Sequence, residues 1–265
     1  MLPEARYYKP AEKLSWLIKQ FEFITYNGKE ALTDKFVPRE DVSIVFHFRN
    51  RPRMVSPVDQ TLPPVFIAPL TPTANSICLP GGNDSMIVTC RPTVLSRMFG
   101  ISLSPGNKIW VPVPEGLLLP LWEEMKQGKS DAARMDVFAS FISSNWHRRY
   151  IPDETDRSYD LILRKGINTN LHDITDELQV SERTLQRRFR DRLGATPKML
   201  IRLIRINYLW ETTSGGGKID YQDLVFLGSY FDQTHMIKDF KSITGETPKA
   251  FFRRNLSMAR IFSGK

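Results

Sequence analysis

Phe189-Arg-Asp-Arg-Leu-Gly194-Ala-Thr-Pro197 returns as Phe240-Lys-Ser-Ile-Thr-Gly245-Glu-Thr-Pro248. Phe, Gly, Thr and Pro recur at one offset, 189 to 240, 194 to 245, 196 to 247 and 197 to 248. A fixed offset points to a duplicated supersecondary unit. The residues before each phrase read as helix, tight turn, helix.

In the first unit the pattern predicts a helix over 170–178, with Asn170 as N-cap and Asp173 in the capping-box position. Leu171, Ile174 and Leu178 share one face. Gln179-Val180 makes a short turn and Ser181 caps a second helix over 181–193. Leu185, Phe189 and Leu193 form its inward stripe, while Arg183, Gln186, Arg187 and Arg190 lie opposite. Gly194 and Pro197 end the helix, and Pro197 suits the first turn of the next. Between 181 and 205 stand eight basic and two acidic residues, a local charge of +6. A charge run is ordinarily a solvated helix face. These arginines, however, sit on the helix after a tight turn, the recognition position of a helix-turn-helix. Arg and Gln are the side chains that pair bidentately with guanine and adenine edges. Double-stranded DNA is the partner this implies, with Arg188, Arg192 and Arg202 expected to grip phosphates.

The second unit is expected to start near Asp220. Tyr221, Leu224 and Val225 face inward, 228–231 make the turn, and Asp232 caps a helix over 232–243. Met236 and Phe240 repeat the stripe of Leu185 and Phe189. Thr234, Ile237 and Lys238 point outward. Asp232 and Asp239 offset Lys238 and Lys241, so this helix either reads bases weakly or grips phosphates. His235 reads as a local packing or capping residue. Between the units, 198–211 reads as one helix with Leu200, Leu203, Ile204 and Trp210 inward and Arg202 and Arg205 projecting. Its length of about 21 Å, with the offsets inside each unit, suits recognition helices one DNA turn, roughly 34 Å, apart. The loop 214–218 has no phosphate-loop pattern.

Tyr230-Phe231-Asp232-Gln233-Thr234-His235, followed by Phe240 and Gly245-Glu-Thr-Pro248, resembles the signature of the AraC/XylS family of bacterial transcription regulators. The resemblance covers both units and the helix between them. It implies that the second helix of each unit enters the major groove. Ser181, Arg183, Gln186, Arg187 and Arg190 would contact DNA from one, and Gln233, Thr234 and Lys238 from the other. It further implies a cytoplasmic activator with RNA polymerase as a partner. Ser229 stands where that family usually has the turn glycine, Ile237 is apolar at an outward position, and Leu209 replaces a small residue.

With 265 residues, two domains are expected, divided as 1–152 and 153–265. The net charge of +8 favours an anionic partner. No apolar run has the length of a membrane span, and the amino terminus lacks the shape of a signal peptide. Cys78 and Cys90 have no metal-ligand spacing and are expected to be reduced thiols.

The first half is expected to be β-rich after a helix near 11–20. Val42, Ile44, Phe46 and Phe48 alternate with Ser43, Val45, His47 and Arg49, the pattern of a half-buried strand. Residues 66–68, 86–90 and 109–113 are further strands, and prolines at 57, 63, 64, 69, 72 and 80 mark turns or edges. The fold class is therefore α+β: a small antiparallel barrel or sandwich, then helices from 117 to 150, then the all-helical half. Met135, Phe138, Ile142 and Trp146 form a stripe that serves either packing within the domain or a homodimer. Pro152 ends this region and 153–156 is the expected hinge. The half resembles sensor domains that precede this type of DNA-binding domain, implying a small-molecule effector or a partner. No cofactor, metal or catalytic residue is expected. The alternative, a cupin-like metal-dependent enzyme, needs clustered His and carboxylates. Only His47 lies on a strand, either solvated or satisfied in the core, and no Gly-x-Ser-x-Gly elbow is present.

Overall fold

The computed structural model describes residues 1–264 apart from 105, 107, 108, 147–149 and 214–220. The expected start of the second unit at Asp220 and the loop 214–218 lie outside the described residues. Strands β1 (Glu4–Tyr8), β2 (Ile18–Tyr26), β3 (Leu32–Phe36), β4 (Val42–His47), β5 (Arg53–Ser56), β6 (Gln60–Thr61), β7 (Val65–Ala68), β8 (Asn75–Leu79) and β9 (Asn83–Cys90) form two antiparallel sheets. Their orders are β1-β2-β9-β4-β7 and β3-β8-β5-β6. Long-range pairing sets the register: Glu22 opposes Ile87, which opposes Val45 across β4, and Ile24, Ser85 and His47 form the next row.

A strand alternates its side chains between faces, and the five-stranded sheet uses both. Phe21, Phe23, Ile44, Phe46, Met86 and Val88 belong to the large apolar core shared with the helices. Glu22, Ile24, Val45, His47, Ser85 and Ile87 look toward the four-stranded sheet. The expected helix over 11–20 is instead a single 3-10 turn, Glu12–Leu14, running into β2. Leu14, Leu17 and Ile18 carry helical spacing for one turn only, and the β-branched and aromatic run Phe21–Tyr26 claims the segment for the sheet. Residues 109–113 supply one bridge, Ile67 to Val111, and no strand.

Helices α1 (Pro92–Phe99), α2 (Glu115–Gln127) and α3 (Asp131–Asn145) cover the outer face of the larger sheet. Phe138 meets Phe21 and Phe46 edge-on, each at 6.0 Å between ring centroids. Ile142 is buried beside it. Phe138 and Ile142 of the α3 stripe are thus packed inside the chain, while Met135 and Trp146 are half-buried.

The helical half comprises α4 (Glu154–Lys165), α5 (Leu171–Glu177), α6 (Glu182–Leu193), α7 (Pro197–Thr212), α8 (Tyr221–Leu227), α9 (Gln233–Thr244), α10 (Pro248–Arg253) and α11 (Ser257–Phe262). The expected hinge 153–156 is a capping box: the Asp153 carboxylate accepts from the Thr155 and Asp156 amides, and Asp156 accepts from the Asp153 amide. Arg192 of α6 reaches across it, donating to Asp153 at 2.6 Å and to the carbonyl of Thr93 in α1. Tyr159 of α4 donates to Asp41 at 2.9 Å, and Asn207 of α7 to the Pro38 carbonyl at 3.1 Å. The two halves share one continuous apolar core. Gly194 fits this contact for two reasons. Its φ of +67° is the left-handed cap that ends α6, and a Cβ there would lie 2.5 Å from the Ser104 backbone.

Candidate nucleic-acid interface

The first helix-turn-helix is α5, a turn and α6. Asn170 caps α5 by accepting from the His172 amide at 3.0 Å; Asp173 closes no box. The turn bends at Gln179, whose φ is +51°. Ser181 then caps α6, accepting from the Thr184 amide at 3.1 Å. Leu185, Phe189 and Leu193 are buried. Each such side chain is worth about 1.5–3 kcal/mol of burial, which fixes the rotation of α6 and hence the direction of its opposite face.

That face separates two kinds of arginine. Arg183, Arg187 and Arg190 are exposed and, among the described residues, have no hydrogen bond or ion pair. Arg188 pairs with Glu154, and Arg192 with Asp153 and Asp156. Arg202 of α7 pairs with buried Asp239, and Arg205 donates to the Ile167 carbonyl at 3.2 Å. Intrachain carboxylates hold Arg188, Arg192 and Arg202, the three expected to grip phosphates, so a phosphate would have to displace those partners. Gln186 is half-buried and donates to Glu182 at 2.7 Å, a contact that base recognition would exchange.

The second unit repeats the plan. Ser229, with a φ of +51°, occupies the turn position that Gln179 fills in the first unit. Its hydroxyl donates to Asn168 at 2.9 Å. Asp232 caps α9, accepting from the His235 amide at 2.7 Å. Met236 and Phe240 are buried, and Gln233, Thr234 and Lys238 are exposed. Ile237 is half-buried against the core. His235 lies edge-on to Tyr230 at 5.4 Å, a packing role. Helix α7 holds the units together. Arg202 donates to Asp239 and Ser242 on α9, and the Arg205 guanidinium lies 5.7 Å from the centre of the Tyr230 ring. Tyr230 donates to Asp239 at 2.7 Å, and burial followed by the Asp239 charge pushes its hydroxyl far above the ordinary tyrosine range.

A second site was not read from the sequence. Between the two sheets lies a cavity of about 120 Å³. Its walls are mostly apolar, with Ile24, Val45, Met54, Phe66 and Ile87 among them. Glu22 and His47 also line it and are 2% and 4% exposed, so both are buried polar groups. The segment following α11 lies over its rim. Ser263 accepts from the Val37 amide at 2.9 Å, and Arg39 donates to the carbonyls of Ser263 and Gly264, each at 3.3 Å. Among the described residues no group of three or more His, Cys, Asp or Glu side chains could hold a metal ion. No described helix is long and apolar enough to cross a membrane.

A family model described as a helix-turn-helix domain matches residues 174–254, which span α5 through α10. No curated protein matches the chain. Among solved structures, the crystal structure of ToxT from Vibrio cholerae O395 is similar at 17% identity and a TM-score of 0.47, covering 88% of this chain and 97% of that one. Wild-type ToxT from Vibrio cholerae strain SCE256, bound to an unsaturated fatty acid, matches at 15% identity and a TM-score of 0.47, covering 88% and 94%. The AraC-like transcriptional activator CuxR matches at 13% identity and a TM-score of 0.26, covering 85% and 91%.

Proposed function

We propose that this chain, whose residues 174–254 form a helix-turn-helix domain, is a transcription regulator that binds a specific duplex site through two major grooves. Helix α6 is the main reader, with Arg183, Gln186, Arg187 and Arg190 at base edges and the adjoining backbone. Ser181, at its amino-terminal end, meets a phosphate. Helix α9 is the lesser reader, through Gln233, Thr234 and Lys238. The observation that carries this reading is the sorting of arginines on α6 and α7. Arg183, Arg187 and Arg190 are left uncommitted on one exposed face, while Arg188, Arg192, Arg202 and Arg205 are engaged inside the chain. Leaving three guanidinium groups together in water stabilises nothing, whereas the same fork geometry matches guanine edges and phosphates.

The β half is proposed to hold an effector in the cavity between its sheets and to pass its occupancy to the DNA-binding half through the shared core. Selection of bound duplexes from a random pool, using the whole protein, tests the reading. Enrichment of a site with two half-elements about one helical turn apart is expected. An unenriched pool from a folded sample refutes sequence-specific binding.

A further inference from the structure

Two buried acceptor atoms line the sandwich cavity without partners among the described residues: Glu22 Oε1 and His47 Nε2. A buried polar atom left unpaired is costly, about 1–3 kcal/mol in general, so two in one cavity call for an explanation.

The hydrogen-bond network assigns the histidine. Asn83 Nδ2 donates to the Asn50 carbonyl at 2.8 Å, so its Oδ1 is the side that accepts from the Ser85 hydroxyl at 3.1 Å. The Ser85 oxygen, having given its proton away, accepts from His47 Nδ1 at 2.7 Å. The imidazole therefore carries its proton on Nδ1 and presents Nε2 as a bare lone pair. Burial, followed by the charge of Arg51, lowers the pKa of this ring to about 3, so it stays neutral.

The register places the two groups apart. Glu22 and His47 sit on β2 and β4, with β9 between them, in adjacent cross-strand rows. Two strand spacings sideways and one row along put their Cα atoms roughly 12 Å apart. Ile24, Val45 and Ile87 pave the floor between, and Met54, Phe66 and Ile77 also line the cavity. Charge then narrows the class of ligand. At the Glu22 end stand Arg39 and Asp41, both lining the cavity. Asp41 is already paired with Lys19 and Arg39, and a charged ligand group of either sign would meet both Arg39 and Glu22, so the local field favours neither a cationic amine nor a carboxylate. A neutral hydroxyl suits the place, because it can donate to the carboxylate or accept from the carboxylic acid. At the other end a bare Nε2 accepts only from a donor.

We infer that the cavity takes an uncharged, elongated apolar molecule carrying a hydroxyl group at each end, one bound by Glu22 and the other by His47. This rests on the proposed effector role of the same cavity and names the chemistry of its ligand. Calorimetric titration of the whole protein with 4,4′-dihydroxybiphenyl, 4-hydroxybiphenyl and biphenyl-4-carboxylate tests it. The dihydroxy probe should bind about tenfold or more tightly than the monohydroxy probe. That advantage should vanish in Glu22→Met and in His47→Leu, substitutions that remove an unpaired polar atom and keep an apolar side chain. Equal binding of the two phenols, tighter binding of the carboxylate, absence of binding by the dihydroxy probe, or an advantage that survives both variants would each overturn it. Duplex titration with and without each bound probe separates this inference from the reading beneath it. A dihydroxy probe that binds through Glu22 and His47 without changing duplex affinity leaves the ligand chemistry standing and sinks the effector role. A carboxylate that binds more tightly and shifts duplex affinity does the reverse.

Discussion

Arg183 and Arg192 are nine residues apart on one helix and have opposite fates. Arg192 faces Asp153 and Asp156 and is bound by both, whereas Arg183 faces water. Replacing each by alanine should therefore fail in different ways. Arg183→Ala, Arg187→Ala and Gln186→Ala should each weaken binding to a selected site by about 1–3 kcal/mol and relax preference at one or two base pairs. Thr234→Ala and Lys238→Ala should cost less. Anisotropy titrations against the site and its single-base variants measure both effects, and a larger loss from α9 would reverse the ranking of the two readers. Salt dependence adds a second distinction. Arg190→Ala should flatten the slope of log affinity against log salt by about 1. Arg192→Ala should leave that slope alone and instead lower stability by about 2–4 kcal/mol, since it strips a partner from the buried carboxylate of Asp156. Nothing in the sequence around Arg192 foretells this, because its partners lie more than 30 residues upstream and approach only through the packing of α4 against α6. A local charge count treats all five arginines of α6 alike.

Helices α6 and α9 were legible because everything that defines them is local. A serine or aspartate cap, a stripe at helical spacing and a glycine stop all fall within one short window, and Ser181, Asp232, Gly194 and Gly245 do what their positions imply. The sheets were legible only as strand-like segments, since the pairings that build them around β9 and β8, β2 with β9, β4 with β9 and β3 with β8, join residues more than 30 positions apart. The cavity follows from that pairing. Glu22 looks like an interruption between Phe21 and Phe23 until β9 and β4 are laid beside it. Two turn residues put the local geometry to a direct test. Gln179 and Ser229 both hold φ near +51°, where a Cβ costs about 1–2 kcal/mol. Gln179→Gly should raise the denaturation midpoint by an amount equivalent to about 1 kcal/mol. Ser229→Gly should gain about as much, because each substitution also gives up one exposed side-chain bond, Gln179 to the Asp176 carbonyl and Ser229 to Asn168. A loss of stability in Gln179→Gly would show that the bend is not strained. The clamp between α7 and α9 predicts the opposite sign. Asp239→Ala, which leaves the Tyr230 hydroxyl without its acceptor and Arg202 with Ser242 alone, should cost about 2 kcal/mol, moderated because Arg202 remains partly solvated.

For the whole molecule, Glu22 and His47 tie stability to pH with opposite signs. Burial, opposed by Arg39, pushes the Glu22 carboxyl up from 4.5 to about 7. Between those values the folded chain keeps a proton that the unfolded chain has released, so this contribution falls as pH rises. His47 is lowered from 6.5 to about 3, so the unfolded chain takes up a proton that the folded chain refuses. Its contribution is present above pH 6.5 and is lost as pH falls. Each group alone has a slope of about 1.4 kcal/mol per pH unit, and from pH 4.5 to 6.5 they offset each other. Urea denaturation across that range should show Glu22→Gln gaining stability relative to the parent as pH rises, and His47→Leu losing it. Parallel curves for the parent and both variants would mean that neither group is buried in its stated charge state.

Residues 262–264 lie over a cavity whose first wall, β2, is some 240 positions earlier in the chain. A ribosome delivers the two in that order. If the sandwich forms before α11 is made, its apolar interior is open to small molecules around the nascent chain during that interval. Only when α11 emerges does the rim acquire Phe262 and Ser263. On the proposed effector role, a ligand present during synthesis would be enclosed as α11 packs, whereas one added afterwards must first displace this segment. Protein made in the presence of ligand and protein exposed to it afterwards are expected to reach the same occupancy at very different rates.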